Sequence, residues 1–317
     1  AAMSTGQVAA LSTAQVQALS NGNVTALSTS QVQAMGTAQV NALSTAQVVA
    51  MTTGQVASLT AAQVKGMSTD QVKALENADV QVLNATQIKA LTTAQVQALE
   101  TTDVAGLNTT QLAALTADQV SALTTAQVVS LTTTEVSNLS YDQVKALTTT
   151  QLQAVETADV AVLNSDQVSS LSATQVQAFT TAQVEKLSTG VIAGLSNTQV
   201  GALSTDQVAA LTTGQVKSLT AGEVTALSSD QVAVLTNAQL GALSTGQIQA
   251  LETGDVAAMS TTQVNALSTT QVNALTTGQV AGLTTTQVSS LANAKLQAVN
   301  TAGVAALTSD QVVSLTT

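Results

Sequence analysis

The chain of 317 residues contains no Cys, no His, no Pro and no Trp, and only one Tyr and one Phe, Tyr141 and Phe179. Its seven basic residues are all Lys. Without Cys there is no disulfide framework and no thiolate metal site, although this alone does not fix the compartment. Without His and Cys the commonest bases, nucleophiles and metal ligands are missing. Seven Lys stand against 18 acidic residues, for a net charge of −11, which leaves no basic footprint for nucleic acid. No apolar run of about 18 residues occurs, so no membrane-spanning helix is expected, and no stretch reads as a signal peptide. Two aromatic rings are too few for a compact core of this size. A narrow body of thin, similar layers, with no space for large rings, is the expectation instead.

What is present is one octapeptide, returned almost without interruption. Counting from Met3 to Leu315 in steps of eight gives 40 positions, each Leu, Met, Phe or Val. The multiples of eight, from Val8 to Val312, are all Val, Ile or Leu. The residue after the Leu-type position is Ser or Thr in 30 of 40 copies, and Asn84, Asn108, Asn164 and Asn300 add further good helix N-caps. Three residues after the cap comes Gln in most copies. Ser/Thr-x-x-Gln is a capping box, and the apolar residues on either side of it, Leu11 and Val16 for example, match a hydrophobic staple. A helix-start signal is therefore reissued every eight residues.

One uninterrupted helix is excluded by geometry. At about 100° per residue, eight residues advance roughly 80° past two full turns, so the apolar stripe would wind around the helix. A strand needs a period of two, whereas Val16 and Leu19 are three apart. The fold class expected is all-α: a solenoid or superhelix of about 40 very short helices, one per repeat. Helices this short survive only by packing on their neighbours. A β-solenoid is the alternative. The residue before Leu is usually Ala (Ala10, Ala18, Ala26), small enough for close approach of successive coils. Departures from Gln between residues 79 and 255 fall at 79, 103, 135, 159, 191, 223 and 255, spaced by 24 or 32 residues, with others at Asn23, Lys295 and Gly303; the spacing suggests three to four repeats per superhelical turn. With coils stacked about 10 Å apart, the result would be a rod on the order of 100 Å.

No linker or composition shift divides the interior, so residues 1–317 are expected to form one continuous solenoid. Neither end carries a polar capping unit, and the expectation is a segment of a longer protein or a stacking subunit. Asp70, Asp118, Asp142, Asp166, Asp206, Asp230 and Asp310 sit at helix position N2, where negative charge suits the helix dipole. Lys65, Lys73, Lys89, Lys145, Lys186 and Lys217 mark a solvated face. Where the cap is Glu (Glu76, Glu100, Glu156, Glu252), the third helical residue is Asp (Asp79, Asp103, Asp159, Asp255). This reads as a capping pair with long and short partners exchanged, or as duplication of one variant copy. The Glu-x-x-Asp sites could bind a cation weakly, but capping is the stronger account. No catalytic, cofactor-binding or metal-ligating residues are assigned, and no enzymatic activity or cofactor is expected.

The stretch Leu-Thr-Thr-Ala-Gln-Val-Gln-Ala-Leu from Leu91 to Leu99 resembles the first helix of TAL-effector repeats, but over these nine residues alone, without a second helix or base-reading loop. Along its whole length the chain is similar to the Leu-Thr-Thr-x-Gln-Val-x-x-Leu tracts of very large bacterial surface and secreted proteins described as adhesin-like. That resemblance implies an extracellular or cell-surface rod, stalk or filament, with head-to-tail or lateral self-association. The alternative function is a binding module for a glycan, ice or a partner protein, using a regular Thr/Gln-rich face.

Overall fold

The computed structural model describes residues 3–315, in two compact units that divide between Asp159 and Val160. Among the described residues there are 39 helices, from α1 (Thr5–Ala9) to α39 (Ser309–Ser314), each four to six residues long, and no strand. The all-α reading holds and the β-solenoid does not.

Each helix starts where the capping box predicts. In α16 (Thr125–Val129) the Thr124 hydroxyl accepts from the Gln127 amide at 3.2 Å, and Gln127 Oε1 accepts from the Thr124 amide at 2.8 Å. Two of the orphan donors of the first turn are satisfied by one side-chain pair. Each helix ends in a tightened turn, as when Leu123 N–H donates to Val120 C=O at 3.2 Å. The corner follows from two extended residues in succession: Leu123 at φ −55°, ψ 138°, then Thr124 at φ −70°, ψ 158°. No described residue has a positive φ. A corner built this way needs no left-handed residue, which is why the 17 glycines take no fixed place in the repeat.

Within each unit the coils stack with an offset of three repeats. In the first, α8 (Ala61–Gly66) packs on α5 (Thr37–Asn41), and α11 (Ala85–Ala90) on α8. In the second, α32 (Thr253–Ala258) packs on α29 (Ser229–Ala233), and α35 (Thr277–Gly282) on α32. The Val-type and Leu-type residues of these coils are buried and form the core, each contributing about 1.5–3 kcal/mol of apolar burial. Phe179 is 3% exposed at a Leu-type position. The core thus accepts a ring there, and the scarcity of aromatics is not enforced by lack of space at every layer. At the residue before Leu the space varies from copy to copy: a Cβ on Gly66 would stand 3.3 Å from Thr37 Cβ and one on Gly282 would collide with Thr253 Cγ2, whereas Val82, Val162 and Val234 occupy the same position exposed.

Candidate functional site

The repeated Gln has a second task that its capping role does not reveal. Its Oε1 faces back to the cap, so its Nε2 is free to donate forward. In Gln95 that amine reaches Val64 C=O at 2.9 Å and Met67 C=O at 2.7 Å, with Lys65 C=O at 3.4 Å. Gln127 does the same to Val96 and Leu99, both at 2.8 Å. In the second unit Gln279 reaches Ile248 and Leu251, both at 2.7 Å. The acceptors lie 28–31 residues back, at the end of the fourth helix earlier. Helix contacts run to the third helix and Gln bonds to the fourth, so one turn holds between three and four repeats.

Each Gln therefore drops its amide into a cage of carbonyl oxygens left open at the end of an earlier helix. Those are the C-terminal carbonyls that a short helix cannot satisfy itself. Burial follows: Gln95 and Gln127 are 2% exposed, whereas Gln7 and Gln15, which cap without a cage, are exposed. This takes the capping Gln of the interior repeats out of the surface; the Gln residues that stay exposed, such as Gln97 and Gln153, stand just after the Val-type position. The signal in the sequence was the near-exclusive use of Gln. Glu serves a capping box equally well and suits the helix dipole better, so its rarity reports a need for the amide donor.

The departures from Gln show what the cage demands. At Lys295 the ammonium takes the amide's place and donates to Leu267 C=O. At Gly303, which has no side chain, the cap residue Asn300 substitutes: its Oδ1 accepts from the Gly303 amide at 2.8 Å, and its Nδ2 donates to Asn273 C=O at 2.8 Å and Leu275 C=O at 3.0 Å. Val191 fills its position with an apolar side chain, 1% exposed.

The acidic departures bring no donor. Asp79, Asp103, Glu135, Asp159, Glu223 and Asp255 are 2–4% exposed; they are interior groups, not members of a regular polar surface. Burial raises the pKa of Asp79, Asp103, Glu135, Asp159 and Glu223, with cap hydrogen bonds opposing it at Asp79, Asp103, Glu135 and Glu223, and with Glu156 and Glu135 adding to it at Asp159. Glu135 Oε2 accepts from the Thr132 amide at 2.7 Å and hydroxyl at 2.9 Å, and its buried Oε1 has no partner. Asp255 Oδ1 receives a hydroxyl from an earlier coil, that of Ser229 at 2.9 Å.

The exchanged capping pair is half corrected. Asp103 and Asp255 do accept from the cap amides of Glu100 and Glu252, at 2.9 and 2.8 Å. The side chains of Glu76, Glu100 and Glu252 form no cap hydrogen bond; the Glu residues are exposed. A Glu side chain carries its carboxylate past the N3 amide that a Ser or Thr hydroxyl meets. The seven N2 aspartates and the six lysines of the solvated face are exposed, as expected.

Surface grooves recur with the repeat. One of 460 Å³ is lined by Lys65, Lys89, Leu91, Thr93, Thr116 and Gln119 among others. Another of 440 Å³ is lined by the residues eight places on, Lys73, Gln97, Leu99, Thr101, Thr124 and Gln127. Among the described residues no helix is long and apolar enough to cross a membrane, and no three His, Cys, Asp or Glu side chains gather to hold a metal.

No curated protein matches the chain. The family described as the ALTTAQ repeat matches eight stretches, residues 1–29, 21–53, 49–77, 72–105, 96–133, 152–189, 185–213 and 248–285. The motif itself stands at Ala90–Gln95 and Ala122–Gln127, where Thr-Thr supplies the cap and the first helical residue, and Gln the cage donor. The matched stretches take in more than half of the chain, which therefore belongs to the ALTTAQ repeat family.

Proposed function

We propose that this repeat protein is a non-enzymatic structural element: an extracellular rod, stalk or filament at a bacterial surface, assembling with copies of itself head to tail or laterally. The observation that carries this reading is the buried Gln bridge. Most interior copies spend the Gln side chain on joining a helix to an earlier coil, as Gln95 does with Val64 and Met67. A side chain committed in this way, copy after copy, serves cohesion rather than a substrate. The recurring grooves support the same reading, since residues eight apart line them in turn and none is set apart for a reaction. Likeness to adhesin-like tracts supports the bacterial surface as the location. Electron microscopy of the purified chain tests the proposal, with sedimentation to read association. Elongated particles or fibres are expected. Isometric monomers at all concentrations would refute it.

A further inference from the structure

The carbonyl cage requires a donor. Gln supplies an amine, and Lys295 supplies an ammonium. Glu135 as a carboxylate supplies neither, yet it has the length of Gln and stands at the same position. In α17 (Thr133–Asn138) it keeps the cap in full. Its Oε2 accepts from the Thr132 amide at 2.7 Å and hydroxyl at 2.9 Å, and its own amide donates to the Thr132 hydroxyl at 3.3 Å. The other oxygen, Oε1, is buried without a partner. Gln127 and Gln143, one repeat before and after, donate to Val96 and Leu99 and to Leu112 and Leu115. The same offset sets Oε1 where an amine would face the carbonyls of Val104 and Leu107, at the end of α13 (Thr101–Val104).

Two interior oxygens that face each other with no hydrogen between them repel. A side chain as long as Gln leaves no gap for an ion, so the smallest donor, a hydrogen on Oε1 itself, is what completes the contact. We propose that the joint between α13 and α17 is closed by a proton: Glu135 is neutral in the folded chain, its Oε1–H donates to the Val104 or Leu107 carbonyl as a Gln amine would, and loss of that proton to solvent opens the joint. The shorter Asp copies are outside the proposal.

The surroundings agree with a neutral Glu135. The helix packed on α17, α14 (Thr109–Ala114), carries no titratable side chain. α13 brings the buried Asp103, with the exposed Glu100 at its cap. From a later coil Asp159 feels the charges of Glu156 and Glu135, and it acts back on Glu135 in the same sense. On the next helix, α18 (Tyr141–Ala146), Tyr141, Asp142 and Lys145 are exposed. Lys145 has an interaction of its own and donates no hydrogen bond to Oε1. Burial raises the pKa of Glu135 against the two Thr132 hydrogen bonds that lower it. A raised pKa in the folded chain means that the joint contributes fully below the ordinary carboxylate range and is lost as pH rises through the raised value. Alkali thus loosens one seam, while the neighbouring seams closed by Gln127 and Gln143 do not respond.

The test uses the full chain with carbon-13 in its carboxyl and carbonyl groups, titrated by NMR from about pH 4 to about pH 9. Glu135 is expected to ionise above the ordinary carboxylate range. The Val104 and Leu107 carbonyl carbons should shift at that same midpoint, while those of Val96 and Leu99, which face Gln127, stay still. Glu135→Gln restores the consensus residue and fixes the donor permanently. Its Tm should be close to the parent's at the acid end and exceed it increasingly as pH rises through the Glu135 midpoint. Ionisation of Glu135 within the ordinary carboxylate range would overturn the proposal. So would Val104 and Leu107 carbonyls that ignore its titration, or a Tm difference that is the same at every pH.

Discussion

Replacing Gln95 with Met isolates the bond that joins coil to coil. Met keeps the unbranched shape and most of the volume, so packing changes little. Two polar groups lose their partners. The Thr92 amide loses Gln95 Oε1 at 2.7 Å, and Met67 C=O loses Gln95 Nε2 at 2.7 Å. Val64 C=O keeps the Met67 amide at 3.2 Å and is only partly deprived. A buried group left bare costs about 1–3 kcal/mol, which for two groups puts Gln95→Met at about 2–6 kcal/mol. Gln15 provides the control. It makes the same capping box with Ser12, at 2.8 and 3.2 Å, but on an exposed site with no cage bond. Water replaces its lost partner, so Gln15→Met should cost about 0.5–1 kcal/mol. Urea unfolding followed by circular dichroism reads both, with unchanged m-values confirming that the surface exposed on unfolding is the same. Equal destabilisation by the two substitutions would refute the reasoning, because it would mean that capping alone accounts for the conserved side chain within the repeat.

The acidic copies make stability depend on pH in a defined direction. Burial raises their pKa in the folded chain, so between the ordinary carboxylate range and the raised values the folded state binds more protons than the unfolded. In metal-free buffer, stability should rise as pH falls from neutrality through the raised values and level off below the ordinary ones. The combined substitution Asp103→Asn, Glu135→Gln and Glu223→Gln should raise Tm at neutral pH and flatten that slope; a slope identical to the parent's would show that the buried acids are not its source. Asn300→Ser tests the substitution of a cap residue for a missing Gln. Ser still accepts from the Gly303 amide, but the bonds to Asn273 and Leu275 are lost. A loss of about 1–3 kcal/mol is expected, against a few tenths for Thr308→Ser, where Gln311 retains its cage bonds at 2.9 and 2.6 Å; equal losses in urea would rule out the compensation.

The helix starts, the apolar core and the all-α class were legible because they are written inside each octapeptide. Ser12, Gln15 and Val16 meet within one turn, so eight residues suffice to infer them. The carbonyl cage was not legible in the same way, because its two halves are 28–31 residues apart and every copy looks alike. The burial of Asp79, Asp103 and Glu135 was missed for that reason: at the level of one repeat, the third helical position belongs to a solvated first turn. Only the coil that an earlier repeat contributes turns it into an interior position.

The exceptions carry what the consensus cannot. In a chain of equivalent copies, any Gln could engage any cage, and the motif alone fixes no number of repeats per turn. Packing selects the offset, and residues that break the rule then record it. Asp79 and Asp103 are 24 residues apart, Asp103 and Glu135 are 32 apart, and Glu223 and Asp255 are 32 apart; those are the offsets of the third and fourth helices that meet in the structure. A substitution that removes a donor is therefore placed relative to the coil it faces, not relative to its neighbours in sequence. The Asn300 and Gly303 pair makes the same point at one site, since the loss at 303 is made good at 300 by a bond to residues 25–27 positions back. Coil-to-coil bonding, rather than the helix start, is the constraint these departures answer to.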